Sequence, residues 1–546
     1  MGERLVRNEE VDGSIPLCST KFIFNELPNA SETRFHSGIV FLMVLEQYIW
    51  QLAVFRTGVG KMQKSDDFRL EKCKRKPIFG WKNVIFPFII LIREINMLSR
   101  NITKDIQKWY LNSSTGLLID GARQIGKTTI IEDFLVKNNI DFIELNLLEN
   151  KLALEAFNTT INAKDLLFRL SSLFNKELIE NRTVIFIDEI QEADDAITPI
   201  KFLVQNTKFR FIFSGSLLGV KMQDIQSVPV GFLTVLQMYP MDFGEFCKAV
   251  GVSDKTMSYL NECFEKKKPI DEIIHKQMLN LFKTYIIVGG MPKAVSEFVK
   301  TNDMTKVNRV LESIDFGYRQ DITKYQKSNK LLIQDIYNLI PSELNAQNKR
   351  FILKNLNEKA RFYQYETSFT WLKNSGVGLF VHNVDNPIYP LLASKERTLF
   401  KLFLCDVGLL TYKLYNGNQI SILNGDSDLN NGAVYEAVVA QELKTHGFEL
   451  YYHNDKKRGE IDFLIEKDNT VVPLEVKSGK DYKRHSALAQ LMANSAFHYR
   501  EGIVLCNGNL AVEKKTIYLP IYMIDFIQNT KEDGQRLVHL DISSLI

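Results

Sequence analysis

The sequence predicts an α/β fold: a parallel sheet flanked by helices, then a helical and winged-helix-like region, then a second α/β domain at the C-terminal end. Three observations predict it. Short apolar runs alternate with helical stretches from Asn101 onward, which is typical of parallel sheets covered by helices. A glycine-rich loop follows one of these runs at residues 121–128, and two strand-like runs surround a turn at residues 467–469.

The glycine-rich loop reads Gly-Ala-Arg-Gln-Ile-Gly-Lys-Thr and follows the apolar run 117–119. It matches the pattern G-x-x-x-x-G-K-S/T, in which glycines let successive N–H groups point at phosphate oxygens. Lys127 is expected to reach the β- and γ-phosphates of ATP, and Thr128 to bind Mg²⁺. The helix that follows directs the positive end of its dipole at the anion. The predicted nucleotide-binding residues here are Gly121, Ala122, Arg123, Gln124, Ile125, Gly126, Lys127, Thr128 and Thr129.

A second motif, Val-Ile-Phe-Ile-Asp-Glu at residues 184–189, ends an apolar strand with two acids. Asp188 is expected to support Mg²⁺, and Glu189 to orient or deprotonate the attacking water, so that Glu189 and Lys127 are the predicted catalytic residues of this site. The next strand ends in small polar residues. Ser214 or Ser216 could therefore lie beside the γ-phosphate, although a strand-ending turn also explains them.

With these motifs the chain resembles prokaryotic AAA-superfamily P-loop ATPases that carry a C-terminal domain of unknown function. Further blocks that support the resemblance lie at residues 213–219, 238–246 and 288–292. It implies ATP and Mg²⁺ as cofactors and a P-loop NTPase core over residues 97–250. Many relatives have an arginine after the glycine that precedes the 238–246 block, but here Phe232 follows Gly231. Arg319 is one substitute for a trans-acting arginine, and an ordinary helix-surface ion pair is its alternative reading.

Residues 251–420 are predicted to form a helical lid and a winged-helix-like region. The Gly-Gly-Met-Pro sequence at 289–292 breaks the chain between core and lid. A helix at 368–373 precedes an alternating, strand-like run at 379–384, and this order resembles a winged helix. Such a shape can read DNA or pack between domains.

Residues 421–546 contain a second group of acids. Glu436 lies on a predicted helix, and Asp462, Glu475 and Lys477 lie on a predicted hairpin whose alternation places the last two on one face. Carboxylates beside a lysine suit a second divalent metal, with Glu436, Asp462 and Glu475 as ligands and Asp462, Glu475 and Lys477 as catalytic residues. The arrangement resembles the PD-(D/E)XK nuclease fold. A half-exposed strand with alternating charges, or a nuclease-like fold that only binds a partner, remains an alternative.

Bulk composition excludes little. Lysine and arginine total 68 against 65 acidic residues, so no global charge favours nucleic acid or membrane as a partner. The six cysteines form no C-x-x-C pair, and a reducing cytoplasm is the expected setting. Residues 1–96 form an atypical N-terminal extension without an interpretable motif, and their apolar runs are too short or too interrupted for a clear membrane span.

Three functions follow as hypotheses. The first is a Mg²⁺-dependent ATPase whose nucleotide state controls the C-terminal nuclease-like domain. The second is an ATP-regulated enzyme of a defence or mobile-element system that cleaves DNA or RNA. The third is a non-catalytic, ATP-dependent interaction switch. ATP is the expected ligand, and assembly into a homo-oligomer is expected because a neighbouring subunit often completes such sites.

Overall fold

The computed structural model describes residues 98–159, 162–193, 197–216, 231–325, 330–415, 419, 422, 431–455, 459–494 and 496–529. The predicted N-terminal extension, residues 1–96, lies outside this described part. Among the described residues, no helix combines the length and the apolar character that crossing a membrane requires.

The first sheet contains five strands, and every pair of neighbours is parallel. The strand order is β2-β3-β4-β1-β5, so β4 separates β1 from β3 and the carboxyl ends of all five strands lie at one edge. This confirms the predicted parallel sheet. The strands are β1 (Gly116–Asp120), β2 (Phe142–Asn146), β3 (Val184–Asp188), β4 (Arg210–Gly215) and β5 (Leu233–Gln237).

Helices cover both faces of this sheet because its central strands are buried on both sides. Leu117 and Ile119 belong to the larger core that includes Phe134, whereas the intervening Leu118 packs with Ile185 in a separate core on the opposite face. The helices of this part are α1 (Ile102–Asn112), α2 (Lys127–Lys137), α3 (Lys151–Asn158), α4 (Ala163–Phe174) and α5 (Ile197–Asn206), with a 3₁₀ turn at Ile190–Glu192.

A mainly helical region follows. The predicted break in the chain at residues 289–292 is present. One helix ends at Val288, and the next begins with Pro292 at its first position. Gly290 is needed there, because a Cβ atom would lie 2.1 Å from the carbonyl oxygen of Met241. The helices are α6 (Phe243–Ala249), α7 (Asp254–Glu265), α8 (Glu272–Val288), α9 (Pro292–Thr301), α10 (Met304–Tyr325), α11 (Lys330–Asn345), α12 (Phe362–Asn374) and α13 (Val407–Tyr415), with a 3₁₀ turn at Leu353–Asn355.

The second sheet is mixed and has the strand order β12-β13-β11-β10-β9-β8-β6-β7. The predicted hairpin is confirmed: β9 and β10 are antiparallel, and Asp468 and Asn469 turn between them with positive φ angles. The elements are β6 (Gly378–Val384), β7 (Lys395–Leu404), α14 (Asn431–Thr445), β8 (Tyr451–Asp455), β9 (Gly459–Lys467), β10 (Thr470–Lys477), α15 (Ser486–Ala493), β11 (Gly502–Cys506), β12 (Ala511–Glu513) and β13 (Thr516–Pro520), with 3₁₀ turns at Leu391–Ser394 and Ile521–Phe526.

The strand-like run predicted at 379–384 as part of a winged helix is β6, which forms a hairpin with β7 and follows α12. The hairpin differs from a separate winged helix in one respect. β6 also pairs in parallel with β8, through His382 with Tyr451 and Asn383 with Tyr452, so the hairpin extends the C-terminal sheet. The predicted boundary at residue 420 therefore divides one continuous sheet, because β6 and β7 precede this position in the chain and β8 to β13 follow it.

Candidate functional site

The loop between β1 and α2 has the backbone that a phosphate-binding loop requires. Gly121 and Gly126 have φ angles of 152° and 91°, which other residues rarely adopt. A Cβ atom on Gly121 would lie 2.2 Å from the carbonyl oxygen of Met238, the residue that follows β5. The first glycine is therefore fixed both by its backbone angle and by the close approach of a neighbouring segment.

Lys127, the first residue of α2, is 7% exposed and folds back over the loop. Its ammonium donates hydrogen bonds to the carbonyl oxygens of Gly121 and Ala122 at 2.9 and 2.8 Å. Burial lowers the pKa of Lys127 to about 8, against the opposing charges of Glu189, Asp120 and Asp188. A cation held inside the loop by neutral carbonyl groups can exchange them for a phosphate anion.

Asp188 ends β3 and collects donors from three other elements. The hydroxyl of Thr128 donates to its Oδ2 atom at 2.9 Å, the amide of Asn146 donates to the same atom at 3.2 Å, and the hydroxyl of Ser214 donates to its Oδ1 atom. Burial raises the pKa of Asp188, although these hydroxyl groups oppose the effect. The structure thus brings the predicted metal ligands Thr128 and Asp188 together, and it places Ser214 beside them.

Glu189 follows with a φ angle of 54°, an uncommon conformation for a residue with a side chain. Its carboxylate accepts a hydrogen bond from the hydroxyl of Ser216 at 3.1 Å and another from the amide of Gln191. The end of β4 and the 3₁₀ turn after β3 therefore orient this side chain. Sequence reasoning missed Gln191 and Asn146, although Asn146 follows the same pattern as the predicted residues, a polar side chain at the carboxyl end of a parallel strand.

The outer side of the loop is covered by the helical region. Arg123 forms an ion pair with Asp321 of α10, and the Tyr318 hydroxyl donates to the Arg123 carbonyl at 3.1 Å. Gly376 approaches so closely that a Cβ atom on it would lie 2.9 Å from the backbone nitrogen of Ala122. Arg319 pairs with Asp315, four residues earlier in α10, at 2.9 Å, as the alternative reading of a helix-surface ion pair expects.

Substitution of Gly121 by alanine is expected to abolish detectable nucleotide binding, because the added Cβ must displace the Met238 carbonyl or distort the loop. Gly479→Ala is a matched control, since no atom lies within 4 Å of its Cβ position and its φ angle is not positive. Fluorescence titration with a labelled ATP analogue compares the two variants. Parental affinity in Gly121→Ala would contradict this view of the loop.

The acids predicted in the C-terminal domain lie on β9, β10 and α14. The carboxylate of Asp462 accepts a hydrogen bond from the backbone of Val476 at 2.8 Å, and the Lys477 ammonium contacts Glu475 at 2.7 Å. Burial and the nearby charges of Glu436 and Glu475 raise the pKa of Asp462 well above its usual range. The hairpin therefore brings Asp462, Glu475 and Lys477 into one group, as their alternation predicts.

Glu436 is engaged differently from the expectation for a metal ligand. Its carboxylate is bound by two ammonium groups, those of Lys349 and of Lys401, the latter at 3.1 Å. Lys401 is fully buried on β7 and also contacts Glu460 at 2.6 Å. Burial disfavours the ionised form of Glu436, but the two lysines outweigh it and lower the pKa. Two lysine cations thus neutralise the carboxylate of Glu436 in this structure. Sequence reasoning missed Lys349, Lys401 and Glu460.

Comparison with known protein families gives three matches along the chain. Residues 113–247 match the model described as an AAA domain. Residues 279–419 and 431–524 match two separate models, each described as a domain of unknown function. The first match spans the loop, the strand-end acids and the first sheet.

Whole-chain relatives add little about activity. The uncharacterized protein MJ1637 of Methanocaldococcus jannaschii is 22% identical over 496 residues, covering 84% of this chain and 94% of the relative. A solved structure described as the Walker-type ATPase of Pyrococcus abyssi is 14% identical, covers 58% of this chain and 96% of its own, and has a TM-score of 0.37. The Thermotoga maritima RuvB Holliday junction branch migration motor is 12% identical, covers 52% and 90%, and has a TM-score of 0.24.

These TM-scores are too low to support a conclusion about this chain. The domain match and the geometry of the loop are stronger. The chain therefore carries an AAA-type domain of the P-loop fold over residues 113–247, joined to two regions that match domains of unknown function.

Proposed function

We propose that this protein binds ATP with Mg²⁺ at the loop 121–128 and hydrolyses it to ADP and phosphate. The observation that carries the proposal is the 2.9 Å hydrogen bond between the Thr128 hydroxyl and Asp188, formed beside the buried ammonium of Lys127. A hydroxyl and a carboxylate at this spacing suit Mg²⁺ or a water molecule bound to it. The AAA-type match over the same residues supports the assignment.

Each residue has a role in this proposal. Backbone N–H groups of residues 121–126 and the Lys127 ammonium bind the phosphates, and Thr128 and Asp188 hold Mg²⁺, which neutralises charge on the phosphate oxygens. Glu189 orients the attacking water and accepts its proton. Ser214 holds Asp188 and Ser216 holds Glu189 by hydrogen bonds, and both serines would therefore lie close to the terminal phosphate.

The proposal is tested by release of phosphate from ATP by the full-length protein, with Mg²⁺ and with a chelator. Turnover is expected only with Mg²⁺. Native mass measured with and without ATP accompanies the assay, because a homo-oligomer supplying an arginine in trans would turn over faster at higher protein concentration. Binding of ATP without turnover at any concentration would favour the third hypothesis, an ATP-dependent interaction switch.

Binding of ATP is expected to weaken as the pH rises through about 8. In the free protein Lys127 loses its proton near that pH, whereas in the complex the bound phosphate keeps Lys127 protonated. The dissociation constant should therefore rise about fivefold between pH 8 and pH 9. Lys127→Arg is the matched control, because a guanidinium does not titrate in this range. Its affinity should be lower but nearly constant with pH. An equally flat profile for the parent would contradict the proposed role of Lys127.

We further propose that the nucleotide state acts on the C-terminal domain through the helical region. The Arg123–Asp321 ion pair connects the loop to α10, and Lys413 of α13 contacts Asp315 of the same helix at 3.0 Å. Gln441 of α14 then accepts a hydrogen bond from the backbone of Val407, the first residue of α13, at 2.8 Å. These contacts form one physical route from the loop to the helix that carries Glu436.

Cleavage of DNA or RNA by the C-terminal domain is a second candidate, favoured by the grouping of Asp462, Glu475 and Lys477 on adjacent strands. The pairing of Glu436 with two lysines opposes it, because only Asp462 and Glu475 then remain as acidic ligands for a second divalent metal. Incubation of the full chain with DNA and RNA under Mg²⁺ or Mn²⁺ tests it, beside Asp462→Ala and the turn variant Asp468→Ala. Cleavage lost only in Asp462→Ala would support this candidate, and no cleavage, or equal cleavage by all three proteins, would eliminate it.

A further inference from the structure

A further cluster of ligand-type side chains contains none of the residues of the two groups described above. It contains Asp242 at the start of α6, His446 just after α14, and Asp525 in the last 3₁₀ turn. One carboxylate oxygen from each aspartate and one ring nitrogen of the histidine all lie within 4.8 Å of one another. Three segments that are distant in sequence therefore converge on one point between the first sheet's region and the C-terminal region.

The ring of His446 is held in the form that binds a metal. Its Nδ1 atom lies 3.0 Å from the carbonyl oxygen of Ile527, which can only accept, so Nδ1 carries the proton. The other nitrogen of the neutral ring, Nε2, then presents a lone pair. Among the residues that the structure describes, Nε2 has no hydrogen-bond partner, and the His446 side chain is 2% exposed. A histidine that donates to a backbone carbonyl through one nitrogen typically binds metal through the other.

Glu442 adds a second unpartnered atom to the same cluster. Its Oε1 atom accepts hydrogen bonds from the backbone of Phe243 at 3.0 Å and from the hydroxyl of Tyr285 at 2.7 Å. Its Oε2 atom is fully buried, has no hydrogen-bond partner within the described part of the chain, and lies 3.6 Å from Nε2 of His446. Two buried polar atoms without partners face each other, an arrangement that is costly unless a third species lies between or beside them.

The two aspartates are oriented by contacts typical of the surroundings of a metal site. The Asp242 carboxylate accepts from the backbone of Glu245 at 2.7 Å and from the side chain of Asn101 at 3.0 Å. Asp525 reaches the cluster because residue 244 is a glycine, whose Cβ atom would lie 2.4 Å from the Asp525 Oδ1 atom. Arg100, a buried cation that contacts the start of α6, is directed to Glu245 instead, at 2.8 Å, and the exposed Lys248 is the cation that acts on Asp525. The cluster therefore has an excess of negative groups.

We propose that Asp242, His446 and Asp525 form a binding site for a structural Zn²⁺ ion, with Glu442 beside His446. One imidazole nitrogen with carboxylate oxygens suits zinc better than Mg²⁺ or Ca²⁺, which prefer oxygen alone, and three such ligands leave the fourth position of the usual tetrahedral coordination for the Oε2 atom of Glu442 or a water molecule. The ion would connect α6, which follows the first sheet, to α14 and the final 3₁₀ turn. This role is independent of ATP hydrolysis and of the acids near Glu475. The competing occupant is a proton shared by Glu442 and His446.

The test uses full-length protein that has been stripped with a chelator, incubated with Zn²⁺ and separated from free metal by gel filtration. About one zinc per chain is expected by atomic absorption for the parent and about none for His446→Gln. His453→Gln is the matched control, because His453 on β8 is also buried and also donates to a backbone carbonyl, that of Val384 at 2.8 Å, but it is not part of the Asp242–His446–Asp525 cluster. It should retain zinc, and so should Asp462→Asn, which separates this site from the nuclease-like group.

A second readout covers the case in which His446→Gln fails to fold. The melting temperature of the stripped parent should rise when Zn²⁺ is added and fall again with chelator, because an ion that binds only the folded chain stabilises it. Asp525→Asn, at a half-buried ligand, should weaken zinc binding at least about tenfold. No zinc uptake and no thermal shift in the parent would overturn the proposal in favour of the shared proton, and equal zinc in His446→Gln would overturn the assignment of ligands.

Discussion

Replacement of Glu189 by glutamine is expected to slow ATP hydrolysis by about 100-fold or more while leaving ATP affinity close to that of the parent. Glutamine keeps the size of the side chain and its hydrogen-bonding ability toward Ser216, whose hydroxyl lies 3.1 Å from the Glu189 carboxylate. It cannot accept the proton of the attacking water. Binding of the phosphates depends on the loop and Lys127, whose hydrogen bonds to the carbonyl oxygens of Gly121 and Ala122 do not involve Glu189.

Phosphate release and calorimetric titration with ATP measure the two effects separately. Glu155→Gln is the control, because it makes the same chemical change at an exposed position on α3. It should hydrolyse ATP at the parental rate. The assigned base is wrong if Glu189→Gln binds ATP and hydrolyses it as fast as the parent does.

Replacement of Lys401 by methionine is expected to destabilise the C-terminal region by about 3–5 kcal/mol, because it leaves Glu436 and Glu460 without their shared cation. Lys401 is fully buried, and its ammonium lies 3.1 Å from Glu436 and 2.6 Å from Glu460. These acids raise the pKa of Lys401 despite its burial, so the lysine stays charged in the folded chain. Lys349 alone cannot neutralise both carboxylates.

Denaturant unfolding followed by tryptophan fluorescence, together with thermal melting, measures this loss. Lys444→Met is the control, because Lys444 forms an ion pair of 2.6 Å with Glu449, whose side chain is 70% exposed. Such exposed ion pairs contribute less than about 1 kcal/mol to stability. Adding Glu436→Gln to Lys401→Met should restore part of the stability, because it removes one of the orphaned charges. If Lys401→Met unfolds together with the parent, the buried ion pairs do not hold this region together.

The grouping of side chains around the loop 121–128 was predictable because its determinants are local in sequence. The glycines, Lys127 and Thr128 occupy one short loop, and Asp188 and Glu189 follow one apolar strand. Parallel strands bring their carboxyl ends to the same edge, so separate motifs meet without any knowledge of the packing. The same reasoning, applied to β2, would have found Asn146.

The C-terminal domain shows where such reasoning fails. The β9–β10 hairpin and the grouping of Asp462 with Glu475 follow from alternation and a turn. Lys401, however, comes from β7, which lies in the region 251–420 that was predicted as separate from the C-terminal domain, and Lys349 comes from a loop of that region. Their approach to Glu436 depends on the parallel pairing of β6 with β8, which leaves no trace in the local sequence.

The cluster around His446 was unpredictable for the same reason. Asp242, His446 and Asp525 are separated by hundreds or tens of residues, with none of the short spacings that mark a metal site. Only the packing of α14 against α6 and the last 3₁₀ turn brings them together. Asp242 also caps the N-terminus of α6, and this local role is enough to explain an aspartate at that position in the sequence.

The central claim, ATP hydrolysis at the loop 121–128, is tested most directly by Mg²⁺-dependent phosphate release from the parent, Lys127→Ala and Lys137→Ala. Lys137 lies at the other end of α2 and pairs with Asp133 at 2.9 Å, away from the loop. The account predicts turnover by the parent and by Lys137→Ala and none above background by Lys127→Ala. Equal turnover by all three proteins would contradict it.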